Sequence, residues 1–119
     1  MTDYERTCDS GAELKHKRWL ESEEEAGRIK DFTHHESFPL FAYNPNRGTT
    51  LIGHHCVDFL VTLPDGRKEV HEIKYGRATK TEAWAMRRKI FKANNPHIRY
   101  RVFEFGGEKR KWFINLEDE

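Results

Sequence analysis

Apolar and polar positions change their period several times along the 119 residues, and each change marks an element. Asp9-Ser10 followed by Glu13 has capping-box spacing, which predicts a helix running to about Ala26 with Gly27 as its C-cap. Ile29 to Phe41 reads as extended, with Phe32, Phe38, Leu40 and Phe41 as apolar positions. Asn44-Pro45-Asn46-Arg47-Gly48 is a turn cluster. Two alternating apolar runs, roughly 50–63 and 67–75, flank Pro64-Asp65-Gly66, the pattern of a β-hairpin. A second helix is predicted from Thr79 to Asn94, between Gly76 and Asn95-Pro96. Ala83, Met86, Ile90 and Ala93 make its apolar stripe, with Trp84 and Phe91 close by. Ile98 to Phe105 alternates as a strand, Gly106-Gly107 turns the chain, and Lys111 to Leu116 adds a short last strand. The order is helix, three strands, helix, strand, with no internal repeat.

Folding the hairpin about Asp65 brings Asp58 opposite Glu72, within one residue. Side chains alternate along a strand, so Glu72 and Lys74 share one face. Two carboxylates and an ammonium therefore converge on one patch. Acids that close repel and raise one another's pKa unless a cation lies between them, which points to a divalent-metal site with a lysine beside it. Asp58 stands amid Val57, Phe59, Leu60 and Val61, where a half-buried acid is costly without a cation or several donors. The bland alternatives are an acid satisfied by backbone donors and an exposed strand ion pair.

The length suits a single domain over 1–119, with its core at about 10–105 and a short strand and acidic tail over 106–119. With charged residues at 34% and no long apolar run, neither a membrane span nor a secretory signal is expected. Cys8 and Cys56 have no paired spacing and suit a reducing cytoplasm. The net charge of +1 hides a segregation. Residues 1–66 carry seven Lys/Arg against twelve Asp/Glu, whereas residues 67–112 carry fourteen against five. Such a distribution suits one face for a polyanion, although a solvated surface accounts for it too.

Histidines supply the competing chemistry. His34-His35, His54-His55 and His71, with Cys56, could assemble a zinc site. Neighbouring residues on a strand point to opposite faces, so each pair is expected to contribute at most one ligand, and no C-x2-C or H-x3-H spacing supports zinc. His71 is expected on the face opposite Glu72, with His54 or His55 at the site entrance or against the core. Trp19 and Trp84 are expected in the core.

Together these residues resemble the PD-(D/E)XK nuclease superfamily, whose core is an αβββαβ unit with a mixed sheet flanked by helices. Ser10 to Glu13, Glu25 to Phe32, Val57-Asp58-Phe59, Glu72-Ile73-Lys74 and Arg87 to Phe91 carry the likeness, over about residues 10–104. Within the superfamily the chain looks most like small phage-encoded members, including the junction-resolving endonuclease I of T7-like phages. The resemblance implies a restriction-endonuclease-like α/β fold and a Mg2+-dependent (or Mn2+-dependent) endodeoxyribonuclease. It makes Asp58, Glu72 and the helix-borne Glu13 metal ligands with the Ile73 carbonyl, and it makes Lys74 the group that orients water. Val57 stands where the motif has proline, Tyr75 where glycine often follows the lysine, and His35 where glutamine is frequent.

Arg77, Thr79 and Lys80 at the start of the second helix, with Arg87, Arg88 and Lys92 along it, are expected to contact DNA phosphates. The short chain disfavours a separate sequence-reading domain, and the resemblance points to branched DNA such as Holliday junctions. Symmetric cutting implies a homodimer, and the phage likeness implies the cytoplasm of a bacterial host. Two other functions stay open: a nickase or strand-cutting subunit of a repair or transposition complex, and a catalytically silent nucleic-acid-binding module.

Overall fold

The computed structural model describes residues 11–74, 81–106 and 111–115. They form α1 (Gly11–Glu25), β1 (Asp31–Asn44), β2 (Gly48–Thr62), β3 (Lys68–Lys74), α2 (Glu82–Asn94), β4 (Arg99–Gly106) and β5 (Lys111–Asn115). The sheet is five-stranded and mixed, in the order β1-β2-β3-β4-β5. Strands β3 and β4, joined through α2, are parallel, and the other neighbours are antiparallel. This α/β arrangement is the expected αβββαβ core with one more strand at its end.

Local chemistry sets the boundaries. Gly27, at φ 78°, closes α1 in a Schellman motif, with Gly27 N–H donating to Glu24 O at 3.0 Å and Arg28 N–H to Glu23 O at 2.9 Å. Gly66, at φ 92°, turns the β2–β3 hairpin, and its N–H donates to Leu63 O at 2.9 Å. The Thr81 hydroxyl caps α2 by accepting from Trp84 N–H at 3.1 Å, so that helix begins a little later than its sequence suggests. Pro39 lies within β1, which is tolerable because β1 is an edge strand. At the bulge after Leu40, the Asn94 amide clasps the backbone of Phe41, accepting from its N–H at 2.8 Å and donating to its O at 3.1 Å.

Helices cover both faces of the sheet. Under α2, Leu40, Val57, Leu60, Val70, Trp84, Phe91, Tyr100 and Val102 form one core. Near α1, Leu20, Ile29, Phe59 and Val61 form the other. The α2 stripe differs from the predicted one. Trp84 and Phe91 are the buried residues, whereas Ala83, Met86 and Ala93 are exposed. Two large rings, seven residues or about two turns apart, fill the space between the helix and the sheet, and Ala83, Met86 and Ala93 turn outward. Trp19, expected in the core, is 39% exposed and lies beside the His16 and Phe103 rings.

The face under α1 also holds a buried polar chain. His16 Nε2 lies 2.9 Å from His71 Nδ1, His71 Nε2 lies 2.7 Å from Glu69 Oε1, and Arg101 Nη1 donates to the same oxygen at 3.2 Å. A carboxylate only accepts, so His71 donates from Nε2 and His16 donates to His71 Nδ1, with both rings neutral. His71 thus lies opposite Glu72, as alternation requires. Burial holds both histidines below their ordinary pKa, helped at His16 by His71 and Arg101 and opposed at His71 by Glu69.

The unfolded chain therefore binds protons that the folded protein refuses. The stability that these rings confer is complete above the unfolded histidine value of about 6.5 and falls as pH drops below it. Urea unfolding between pH 7.5 and 5 is expected to show a shallower acid loss for His16→Leu than for the wild type. Identical slopes would rule out the neutral pair as its source.

Candidate metal and acid–base site

The β2–β3 ladder runs from Thr62↔Lys68 to Phe59↔His71, so Asp58 and Glu72 form the next opposed pair. There the carboxylates replace the backbone acceptors. Asp58 N–H donates to Glu72 Oε1 at 3.0 Å, and Ile73 N–H donates to Asp58 Oδ2 at 2.7 Å. The two acids are thereby locked side by side. Glu72 is buried and Asp58 half-buried. Ile73 thus serves the pair through its N–H, which leaves its carbonyl, the atom that the resemblance makes a metal ligand, out of this contact.

Lys74 extends the same face of β3. Its Nζ lies 3.8 Å from Glu72 Oε2 and 4.3 Å from the centre of the Trp84 ring. A carboxylate on one side and an indole face on the other fix the ammonium's direction. A cleft of about 450 Å³ opens over these groups, and His54, His55, Thr81 and Arg87 also line it. His55 is buried against Tyr100, with Nε2 2.8 Å from the phenol oxygen, and burial pushes its pKa down to about 4. It is a neutral wall of the cleft.

Electrostatics set the pair apart. Burial raises the Asp58 pKa to about 6, with Glu13 adding to the rise, while the Ile73 N–H, Lys74 and His35 oppose it. Burial and the Asp58 charge push Glu72 well above the usual carboxylate range. Two acids that resist carrying both charges, beside one ammonium, can accept a cation or exchange a proton near neutral pH.

Glu13 enters from the first turn of α1 and is 4% exposed. Its Oε1 lies 2.7 Å from His34 Nε2 and 2.7 Å from His35 Nε2. This corrects the expectation that neighbouring histidines on a strand serve opposite faces. His35 has φ 59° and drops out of the β1–β2 ladder between His34↔Phe59 and Glu36↔Val57. The left-handed residue turns its ring back beside His34, with ring centres 3.9 Å apart. Both imidazoles then reach one carboxylate. Glu13 also contributes to the raised pKa of Asp58 and Glu72, so the three acids are in electrostatic reach of one another.

The predicted phosphate contacts divide. Arg77, Thr79 and Lys80 lie outside the described residues. Arg87 is exposed and lines the cleft. Arg88 is half-buried, with its guanidinium 5.9 Å from the Trp84 ring and 5.4 Å from the Tyr100 ring. Lys92 borders a separate hollow near the far end of α2, with His97 and Arg99.

The chain belongs to the DUF1064 family. Residues 2–109 match its model, described as a protein of unknown function. No curated protein matches the chain. Among the described residues of this DUF1064 protein, no helix is long and apolar enough to cross a membrane.

Trp84 was expected in the core and not assigned to the site. The burial of His55 matches one of the two places expected for it, and His34 was considered only within a zinc set with the other histidines and Cys56. Trp84 could have been found from its place in the first turn of the helix after Lys74. The left-handed His35 has no sequence signature, because histidine tolerates that conformation better than most residues but does not require it.

A raised folded-state pKa means that Asp58 costs stability once it must ionise. The cost is complete above about pH 6 and vanishes below the unfolded value of 3.8. Asp58→Asn keeps an oxygen acceptor for Ile73 N–H. In metal-free buffer it is expected to be more stable than the wild type at pH 8, by on the order of 2 kcal/mol. The gain should fade towards pH 4. Urea unfolding checks this, and a loss of stability at pH 8 would mean that the acid is structurally required.

Proposed function

We propose that the protein is a metal-dependent DNA endonuclease that hydrolyses phosphodiester bonds. One observation carries the reading: two interlocked acids, one buried and one half-buried, stand beside an oriented lysine at the floor of an open cleft. The resemblance of Asp58 and Glu72-Ile73-Lys74 to the PD-(D/E)XK pattern supports the same chemistry.

The donor set fits a hard divalent cation, because Asp58 and Glu72 supply oxygen ligands whose charges otherwise repel. Asp58, Glu72, Glu13 and the Ile73 carbonyl would hold Mg2+ or Mn2+. When bound, such an ion neutralises phosphate charge and acidifies a coordinated water. Lys74, aimed by Glu72 and Trp84, would orient the attacking water and stabilise charge developing on the phosphoryl oxygens. Arg87 on the cleft wall would contact a phosphate, and Arg88, braced on two rings, would stiffen that wall. Such contacts recognise backbone and shape, which favours branched DNA over a fixed sequence. Paired cuts would require a homodimer, acting in the bacterial cytoplasm during phage or prophage DNA processing.

The test uses labelled four-way junction, fork, nicked and linear duplex DNA with Mg2+, Mn2+ or EDTA. Metal-dependent paired cuts in the junction are expected. Lys74→Ala should slow cleavage by about 10²–10³-fold, and Asp58→Ala should abolish it while DNA binding persists. Cuts confined to nicked or linear DNA would replace the junction reading with a nickase. If nothing is cut and Lys74→Ala binds DNA like the parent, hydrolysis is lost.

A further inference from the structure

We propose that Glu13, His34 and His35 form a second metal site, built for a borderline transition ion such as Zn2+ or Co2+ rather than for Mg2+. The donors come from two elements. Glu13 stands in the first turn of α1, and the two histidines are consecutive on β1. One ligand atom from each lies within 4.8 Å of the others, and both Nε2 atoms approach the same carboxylate oxygen at 2.7 Å. Neighbouring ligands of an ion bound at ~2.1 Å sit roughly 3 Å apart, so a small opening of this cluster would seat one.

The backbone supplies a second, independent observation. A regular strand would send one imidazole to Glu13 and the other to the opposite face of the sheet. His35 instead adopts φ 59°, a conformation uncommon for a residue other than glycine. Strain of this kind is held only where the surroundings over-determine it, and it gathers at functional sites. Here its effect is to bring a second nitrogen to an acid that already has one.

Donor type then selects the ion. Two imidazole nitrogens and one carboxylate suit Zn2+, Co2+ or Ni2+, whereas Mg2+ and Ca2+ favour all-oxygen surroundings. Three protein ligands also leave coordination positions open, as in zinc sites that take water or substrate. Exposure grades across the cluster: the side chains of Glu13, His34 and His35 are 5%, 11% and 33% exposed. The ion would enter past His35. This site can be tested apart from the nuclease reading, since it uses neither Asp58 nor Lys74 and shares with that reading only Glu13.

The test titrates Co2+ into the full, EDTA-treated chain at pH 7.5, followed by visible absorption and calorimetry, with Mg2+ as the comparison. Co2+ is expected to bind far more tightly than Mg2+. Proton NMR of the wild-type Co2+ form should show two shifted imidazole N–H signals. His34→Gln and His35→Asn, the latter chosen because Asn accepts a left-handed backbone, should each weaken Co2+ binding by at least about tenfold. Asp58→Asn should leave Co2+ binding unchanged while abolishing Mg2+-dependent cleavage, so failure of this site and failure of the nuclease reading are seen separately. Co2+ binding no tighter than Mg2+, no shifted imidazole signals, or wild-type affinity in both histidine variants would overturn the proposal.

Discussion

Everything at the site depends on two carboxylates standing where backbone acceptors would otherwise continue a β ladder. Past Phe59↔His71, Asp58 N–H turns to Glu72 and Ile73 N–H turns to Asp58. Each acid receives a backbone donor, which makes the burial tolerable, yet neither receives enough to lower its pKa. Hydrogen bonding fixes the geometry, and desolvation with mutual repulsion keeps the pair short of positive charge. The fold supports this locally unfavourable arrangement from both sides. Core clusters on the two faces clamp β2 and β3, and α2 brings Trp84 against the Lys74 ammonium.

Two polar systems on the molecule show how differently buried charge can be handled. In the chain under α1, neutral His16 and His71 lead to Glu69, where burial is outweighed by His71 and Arg101 and the carboxylate stays below its ordinary pKa. That carboxylate has its cation. The Asp58/Glu72 pair has Lys74 at 3.8 Å from one oxygen and two negative groups to neutralise. The contrast separates a satisfied structural network from a group of side chains suited to take up an ion.

Much of the fold was legible because its signals are local. Gly27, the Pro64-Asp65-Gly66 turn and Asn95 punctuate the chain where elements end, and the hairpin register about Asp65 placed Asp58 against Glu72. The order of elements and the opposed faces of His71 and Glu72 follow from alternation alone. What could not be read depends on tertiary context. The stripe of α2 rotated because large rings at Trp84 and Phe91 fit between helix and sheet, while Met86 is 58% exposed. The joining of His34 and His35 on Glu13 needed a left-handed residue within a strand, which no periodicity announces. Asp58 and Glu72 were found through strand geometry, whereas the same rule sent His34 and His35 to opposite faces.

The central claim is that Asp58 and Glu72 are held together for a hard divalent cation, and thermal unfolding with added Mg2+ at pH 7.5 tests it most directly. A ligand that binds only the folded chain raises its stability with concentration. Melting temperature should climb with Mg2+ for the wild type and stay flat for Asp58→Asn combined with Glu72→Gln. No Mg2+ response in the wild type, or the same response in the double variant, would contradict it.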